Sequence, residues 1–195
     1  MKEVYGTMAL NNKQLYTTDD IMALPDGVRA ELIDGEIYYM ASPNITHQSL
    51  LRELAVLFVN YQRRASKPCE TFFAPFGVFI NLDKHNYLEP DLIVICDKEE
   101  DTRLQKNGCQ GAPDLVIEIV SPSSKTMDYV RKLAKYRETG VREYWIVDPM
   151  KERVLVYRLE KEECPVQYTF EDAIPVGIAD DFSICIKDLP FHHSH

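Results

Sequence analysis

Residues 112–122 read APDLVIEIVSP, a short and almost continuously apolar run bounded by Pro113 and Pro122. A run of this length between prolines predicts a strand covered on both faces, at the centre of a sheet. Glu118 is the anomaly in it, because an ionised carboxylate inside such a strand is expensive unless it is paired or bound to a metal. Downstream, Ser123 to Thr139 is predicted as a helix ended by Gly140, and REYWIVDP and ERVLVYRLE as two strands around the turn Asp148 to Lys151.

Working upstream, Thr18 to Ala23 reads as a short helix closed by Pro25-Asp26-Gly27. AELIDGEIYYM then reads as a hairpin, with Glu31 to Ile33 and Glu36 to Met40 on either side of Asp34-Gly35. Pro43 and Thr46 start a long amphipathic helix that carries Leu50, Leu51, Leu54, Leu57 and Phe58 at helical spacing. TFFAPFGVFINL and LEPDLIVIC are expected as two antiparallel strands joined by Asp83 to Tyr87, and the segment from Val166 to Leu189 adds short strands and a closing piece. This order predicts a mixed α/β or α+β fold with helices flanking one central sheet. One domain is expected over 1–195, with 1–15 and 190–195 as loose ends.

The five cysteines, Cys69, Cys96, Cys109, Cys164 and Cys185, form no CxxC pair, and are expected to be reduced and mostly buried thiols. Polar residues interrupt every apolar run near the start, and no stretch approaches the ~20 apolar residues of a membrane span, so the expected location is cytoplasmic with no membrane partner. A net charge of -9 weighs against a protein that coats nucleic acid through a basic surface. Carboxylates gathered around a cation would add to that charge, however, and the bound metal would offset it. GxSxG, GxxxxGK[ST] and the paired zinc-deaminase motifs do not occur.

The residues that carry chemistry are Glu89-Pro90-Asp91 at the start of one strand, Glu118 in the middle of the next, and Asp128, Lys132 and Tyr136 on the following helix. The last three, four residues apart, share one helix face. Phosphodiester hydrolysis needs a hard cation that holds the phosphate and lowers the pKa of an attacking water, and Mg²⁺ prefers one or two carboxylates with waters and phosphate oxygens. Asp91 and Glu118 meet that need, and Lys132 can stabilise the charge that builds in the transition state. Pro113-Asp114 imitates Pro90-Asp91, but Asp114 stands about 13 Å from Glu118 along one strand, too far to share an ion with it.

PDLIVI, then PDLVIEIVSPSS, then Asp128, Lys132 and Tyr136 in a D-x3-K-x3-Y pattern, then GVREYWIVDP, resemble the Uma-two family of restriction-endonuclease-like proteins in the PD-(D/E)XK superfamily. The resemblance runs from ELIDGEIYYMASPNITHQ to the end of the chain. It implies a restriction-endonuclease-like core and a DNA endonuclease dependent on Mg²⁺ or Mn²⁺. It also implies Asp91, Glu118 and Ile119 as the metal ligand set, with Glu31, His47, Lys132 and Tyr136 as further catalytic positions. In the superfamily's usual motif a lysine stands two residues after the glutamate; Val120 occupies that position here, and Lys132 matches the family's lysine moved onto the next helix. DNA is the implied partner, and cutting both strands points to a homodimer.

Plainer readings stand beside these. Asp91 can simply open a strand, Glu118 can pair with a buried Arg in an oligomer-forming protein, and His47 can be a capping or packing residue. His192, His193 and His195 read as a chain end rather than a metal site. The competing function is a catalytically inactive nucleic-acid or protein-binding module on a nuclease fold.

Overall fold

The computed structural model describes residues 14–65, 69–80, 83–96, 103–121, 126–161, 163–179 and 181–192. The expected loose start through residue 13, the helix start at Ser123, and His193 and His195 lie outside these residues. The other end is docked as far as residue 192: Phe191 is buried against Phe170, and the His192 N–H donates to Ser49 Oγ at 3.0 Å.

A short helix α1 (Thr18–Met22) precedes strands β1 (Ala30–Ile33) and β2 (Glu36–Tyr39). Asp34 and Gly35, with φ of 51° and 77°, make the tight hairpin turn that an Asp-Gly pair favours. Helix α2 (Ile45–Ala65) begins after Asn44, whose side chain accepts the His47 N–H at 2.8 Å and so caps the first turn. Strands β3 (Cys69–Phe73), β4 (Val78–Phe79), β5 (Tyr87–Leu88), β6 (Leu92–Cys96), β7 (Leu104–Gln105), β8 (Gly108–Gln110) and β9 (Leu115–Ile119) follow.

A π-helical turn over Met127–Lys132 runs straight into α3 (Leu133–Thr139), which ends at Gly140 with φ of 95°. The expected single helix therefore has a widened first part. Strands β10 (Glu143–Asp148), β11 (Arg153–Arg158), β12 (Val166–Thr169), β13 (Ile174–Pro175) and β14 (Ser183–Ile184) complete the order.

Among the described residues there are, instead of one sheet, two of six strands, ordered β2-β1-β5-β4-β8-β7 and β12-β11-β10-β9-β6-β3, with β13 and β14 as a separate pair. The two long strands expected over 71–82 and 88–96 are each divided at a proline. β3 and β6 pair antiparallel in the second sheet, while β4 and β5 pair antiparallel in the first. Proline has no N–H to give to a ladder, so Pro75 and Pro90 are where the chain passes from one sheet to the other. The cysteine expectation also needs correction. Cys69 and Cys96 face each other in the β3–β6 register and form a disulfide, whereas Cys109 is a buried thiol and Cys164 an exposed one.

β9 lies inside the second sheet, antiparallel to β6 and parallel to β10. A parallel pair needs a crossover, and the π turn with α3 supplies it, which lays that helix across one face of β9. Leu115, Ile117 and Ile119 bury against α2 through Leu50, Leu54 and Phe58. Val116 and Val120 face the opposite way, into a second core with Tyr136, Tyr144 and residues of the first sheet such as Ile33 and Leu88. Alternation along the strand gives Glu118 to this second face, beneath the crossover helix.

Candidate active site

The two sheets, the start of α2 and the crossover helix meet at one concave cavity of about 610 Å³, whose wall includes Glu31, His47, Asp91, Glu118, Ile119 and Lys132. Asp91 stands just before β6. The β6–β9 ladder ends at Leu92 opposite Ile117, and one further step of that register sets Asp91 opposite Glu118. No strand residue there can take the Ile119 N–H, and Asp91 Oδ2 accepts it at 2.7 Å. The same oxygen lies 3.0 Å from His47 Nε2, so the first turn of α2 holds the carboxylate from the other side.

Glu118 is 3 % exposed. Its Oε1 accepts from Lys132 Nζ at 3.0 Å and from Tyr136 Oη at 2.7 Å. Lys132 is itself buried, and its ammonium also lies 2.9 Å from Glu31 Oε1 and 3.4 Å from Asp128 Oδ1. Glu31 arrives from β1 in the first sheet, where its Oε1 also accepts the Glu89 N–H at 3.0 Å. One ammonium thus serves three carboxylates delivered by three elements.

That imbalance shapes the electrostatics. Burial is the main reason the Glu118 carboxyl is held well above the usual carboxylate range; Lys132 opposes the rise, and Asp128, Asp91 and Glu31 add to it. Glu31 is raised by burial as well, again against the pull of Lys132. For Lys132, burial favours the neutral amine, but Glu118, Glu31 and Asp128 together outweigh it and hold the group well above the usual lysine range. Burial, then the Glu118 charge, keeps the Tyr136 hydroxyl protonated and available as a donor.

The six expected side chains therefore fall into two groups side by side: His47 with Asp91, joined to β9 through the Ile119 N–H, and the Lys132 network of Glu31, Glu118 and Tyr136. Asp128 belongs to it too, although spacing alone presented it as a neighbour on the helix and not as part of the lysine's cage; its place four residues before Lys132 was the available signal. Asp114 lies at the far end of β9, tied to Arg103 at 3.1 Å and Arg142 at 3.2 Å, and takes no part. Among the described residues no three His, Cys, Asp or Glu side chains cluster to hold a metal. The donor set fits a cation that takes most of its ligands from water and substrate. Asp91 and Glu118 each commit one oxygen to protein donors, and their other oxygens, Oδ1 and Oε2, take no hydrogen bond among the described residues.

Among the described residues no helix is long and apolar enough to cross a membrane. No curated protein matches the chain. A solved structure from Anabaena variabilis ATCC 29413, titled as a putative nuclease belonging to DUF820, superposes with a TM-score of 0.73 at 22% identity, over 89% of this chain and 96% of that one. At that identity the likeness establishes the fold. The sequence pattern of the Uma2 family, described as "Putative restriction endonuclease", matches residues 18–184. With nearly all of the two-sheet core inside that match, the chain belongs to the Uma2 family.

Proposed function

We propose that this protein is a Mg²⁺- or Mn²⁺-dependent endonuclease that hydrolyses phosphodiester bonds of DNA, with residues 1–195 acting as one domain. The observation that carries this reading is the Lys132 ammonium, buried at 3.0 Å from Glu118 on the wall of the same cavity as Asp91. A core that only needed to be stable would have little use for three carboxylates around one amine, because buried ion pairs seldom improve on apolar packing.

Asp91 and Glu118 would hold the cation through side-chain oxygens. Ile119 has no polar side-chain atom, so it could contribute only its backbone carbonyl. When bound, the metal supplies a Lewis acid that lowers the pKa of water and draws charge from the phosphate. The protein's own groups do the rest. Lys132 places a positive charge where negative charge grows on the phosphate. Tyr136 donates to Glu118 and fixes its orientation, while the Ile119 N–H and His47 fix Asp91. Such outer hydrogen bonds typically set ligand geometry as strictly as the ligands themselves do.

The test is cleavage of supercoiled plasmid with and without Mn²⁺. Cutting should require the metal and vanish in Asp91→Ala and in Glu118→Ala, with both variants still folded. Metal-independent cutting, or two variants as fast as the parent, would remove the assignment. The net charge of -9 favours a second reading, an inactive module that keeps the nuclease fold. It predicts no cleavage with either metal.

A further inference from the structure

The cavity also has a wall that the proposed chemistry leaves unused. Tyr39 ends β2, the edge strand of the first sheet; it lines the cavity and is 69% exposed. Its neighbour Tyr38 is occupied, donating to Glu36 at 2.6 Å with the Arg131 guanidinium 5.2 Å above its ring. Among the described residues the Tyr39 side chain makes no hydrogen bond and no aromatic or cation–π contact, its only pairing being the backbone ladder to β1. Phe73, 56% exposed, ends β3 immediately before the cavity residue Ala74.

Glu118 and Asp91 are 3% and 9% exposed, so a phosphate that reaches them must enter the cavity and bring its flanking nucleotides with it. A volume of about 610 Å³ is in the range of a pocket for one small ligand, which admits part of one strand. A base drawn in with the phosphate loses its stacking neighbours and needs a new surface. An exposed aromatic ring provides one for any base, since every base has a π face. With a net charge of -9, the protein has little general attraction for a duplex backbone, and stacking is the contact that remains.

We propose that Tyr39 is a stacking platform for an unpaired base beside the scissile phosphate, so that the substrate is an unpaired strand of DNA. The proposal rests on the nuclease reading for the position of the phosphate. The experiment compares a labelled single strand with the same sequence as a duplex, in Mn²⁺, for the full chain and for Tyr39→Ala and Tyr39→Phe. The parent should favour the single strand. Tyr39→Ala should lose roughly tenfold on it, mainly through KM, as expected for one lost base stack, and Tyr39→Phe should retain the parent rate. Equal rates on strand and duplex, or an unimpaired Tyr39→Ala, would overturn the proposal. Fluorescence anisotropy of the same strand with Glu118→Gln, with and without Tyr39→Ala, reads stacking without turnover. If the parent cuts nothing but strand binding still depends on Tyr39, the nuclease reading fails and the platform stands; if binding ignores Tyr39, the platform fails.

Discussion

Asp128 was readable as a helix-face neighbour of Lys132 but not as a buried partner of its ammonium. Four positions before Lys132 it has the spacing of an ordinary surface pair, yet its carboxylate is buried 3.4 Å from the ammonium, and its backbone carbonyl accepts the Tyr144 hydroxyl at 2.9 Å. Glu118 was legible because a lone acid in an apolar strand demands a partner, and Asp91 because a short strand placed it beside that acid. Asp128 carried no such contradiction, since an acid at a helix start needs no explanation. Under the proposed chemistry, its contact with the ammonium would make it a positioning residue for the lysine. Asp128→Asn should slow cleavage about 10- to 100-fold, the range seen when an orienting partner is removed. With one carboxylate fewer holding the proton on Lys132, the alkaline limb of the pH–rate profile should move to lower pH. A rate loss with an unmoved alkaline limb would make Asp128 merely structural. Lys132→Ala leaves Glu31, Glu118 and Asp128 buried without their cation and should cost about 3–5 kcal/mol of stability, read by denaturant unfolding.

Longer elements were readable and short ones were not. The hairpin at Asp34-Gly35, the long α2 and the β10–β11 pair each span enough residues to display a period or a turn signature. β4, β5 and β7 have two residues each, too few to show alternation, and for that reason the first sheet could not be told apart from the central one. The Cys69–Cys96 bond was hidden for a related reason, since it depends on the register between strands 27 residues apart. The π turn at Met127–Lys132 was the third surprise, because an α pattern with one extra residue looks like an α pattern. Its extra residue has a use that deletion can expose. Val130 lies in the turn and is 61% exposed, so removing it costs little burial. The turn should then relax to an α-helix, in which Asp128 and Lys132 stand three residues apart instead of four, so the carboxylate meets the ammonium from a different position. Helix content should change little while cleavage collapses; retained cleavage would show that the widened turn has no part in placing the lysine.

Over the whole molecule, the concentration of acid in one site sets how stability responds to pH. Folded Glu118 keeps its proton above the ordinary value of 4.5, while the unfolded chain releases it there, so stability falls as pH rises from 4.5 until the folded carboxyl itself ionises. Glu31, also raised, acts in the same direction. Lys132 is raised above its ordinary 10.5, so its stabilising contribution is complete below 10.5 and disappears as pH rises through the higher folded value. Both trends weaken the metal-free chain toward alkali. A bound cation should reverse the carboxyl effect by displacing the proton, so Mn²⁺ should raise the melting temperature more at about pH 8 than at about pH 5. An equal shift at both would place the metal away from Glu118. The division of the network between two sheets also governs when the protein becomes competent. Glu31 rides on β1 in the first sheet, Glu118 on β9 in the second, and Lys132 on the crossover between β9 and β10. A nascent chain with its sheets apart leaves the lysine without Glu31, so the nuclease proposed here would be armed only once the two sheets have docked.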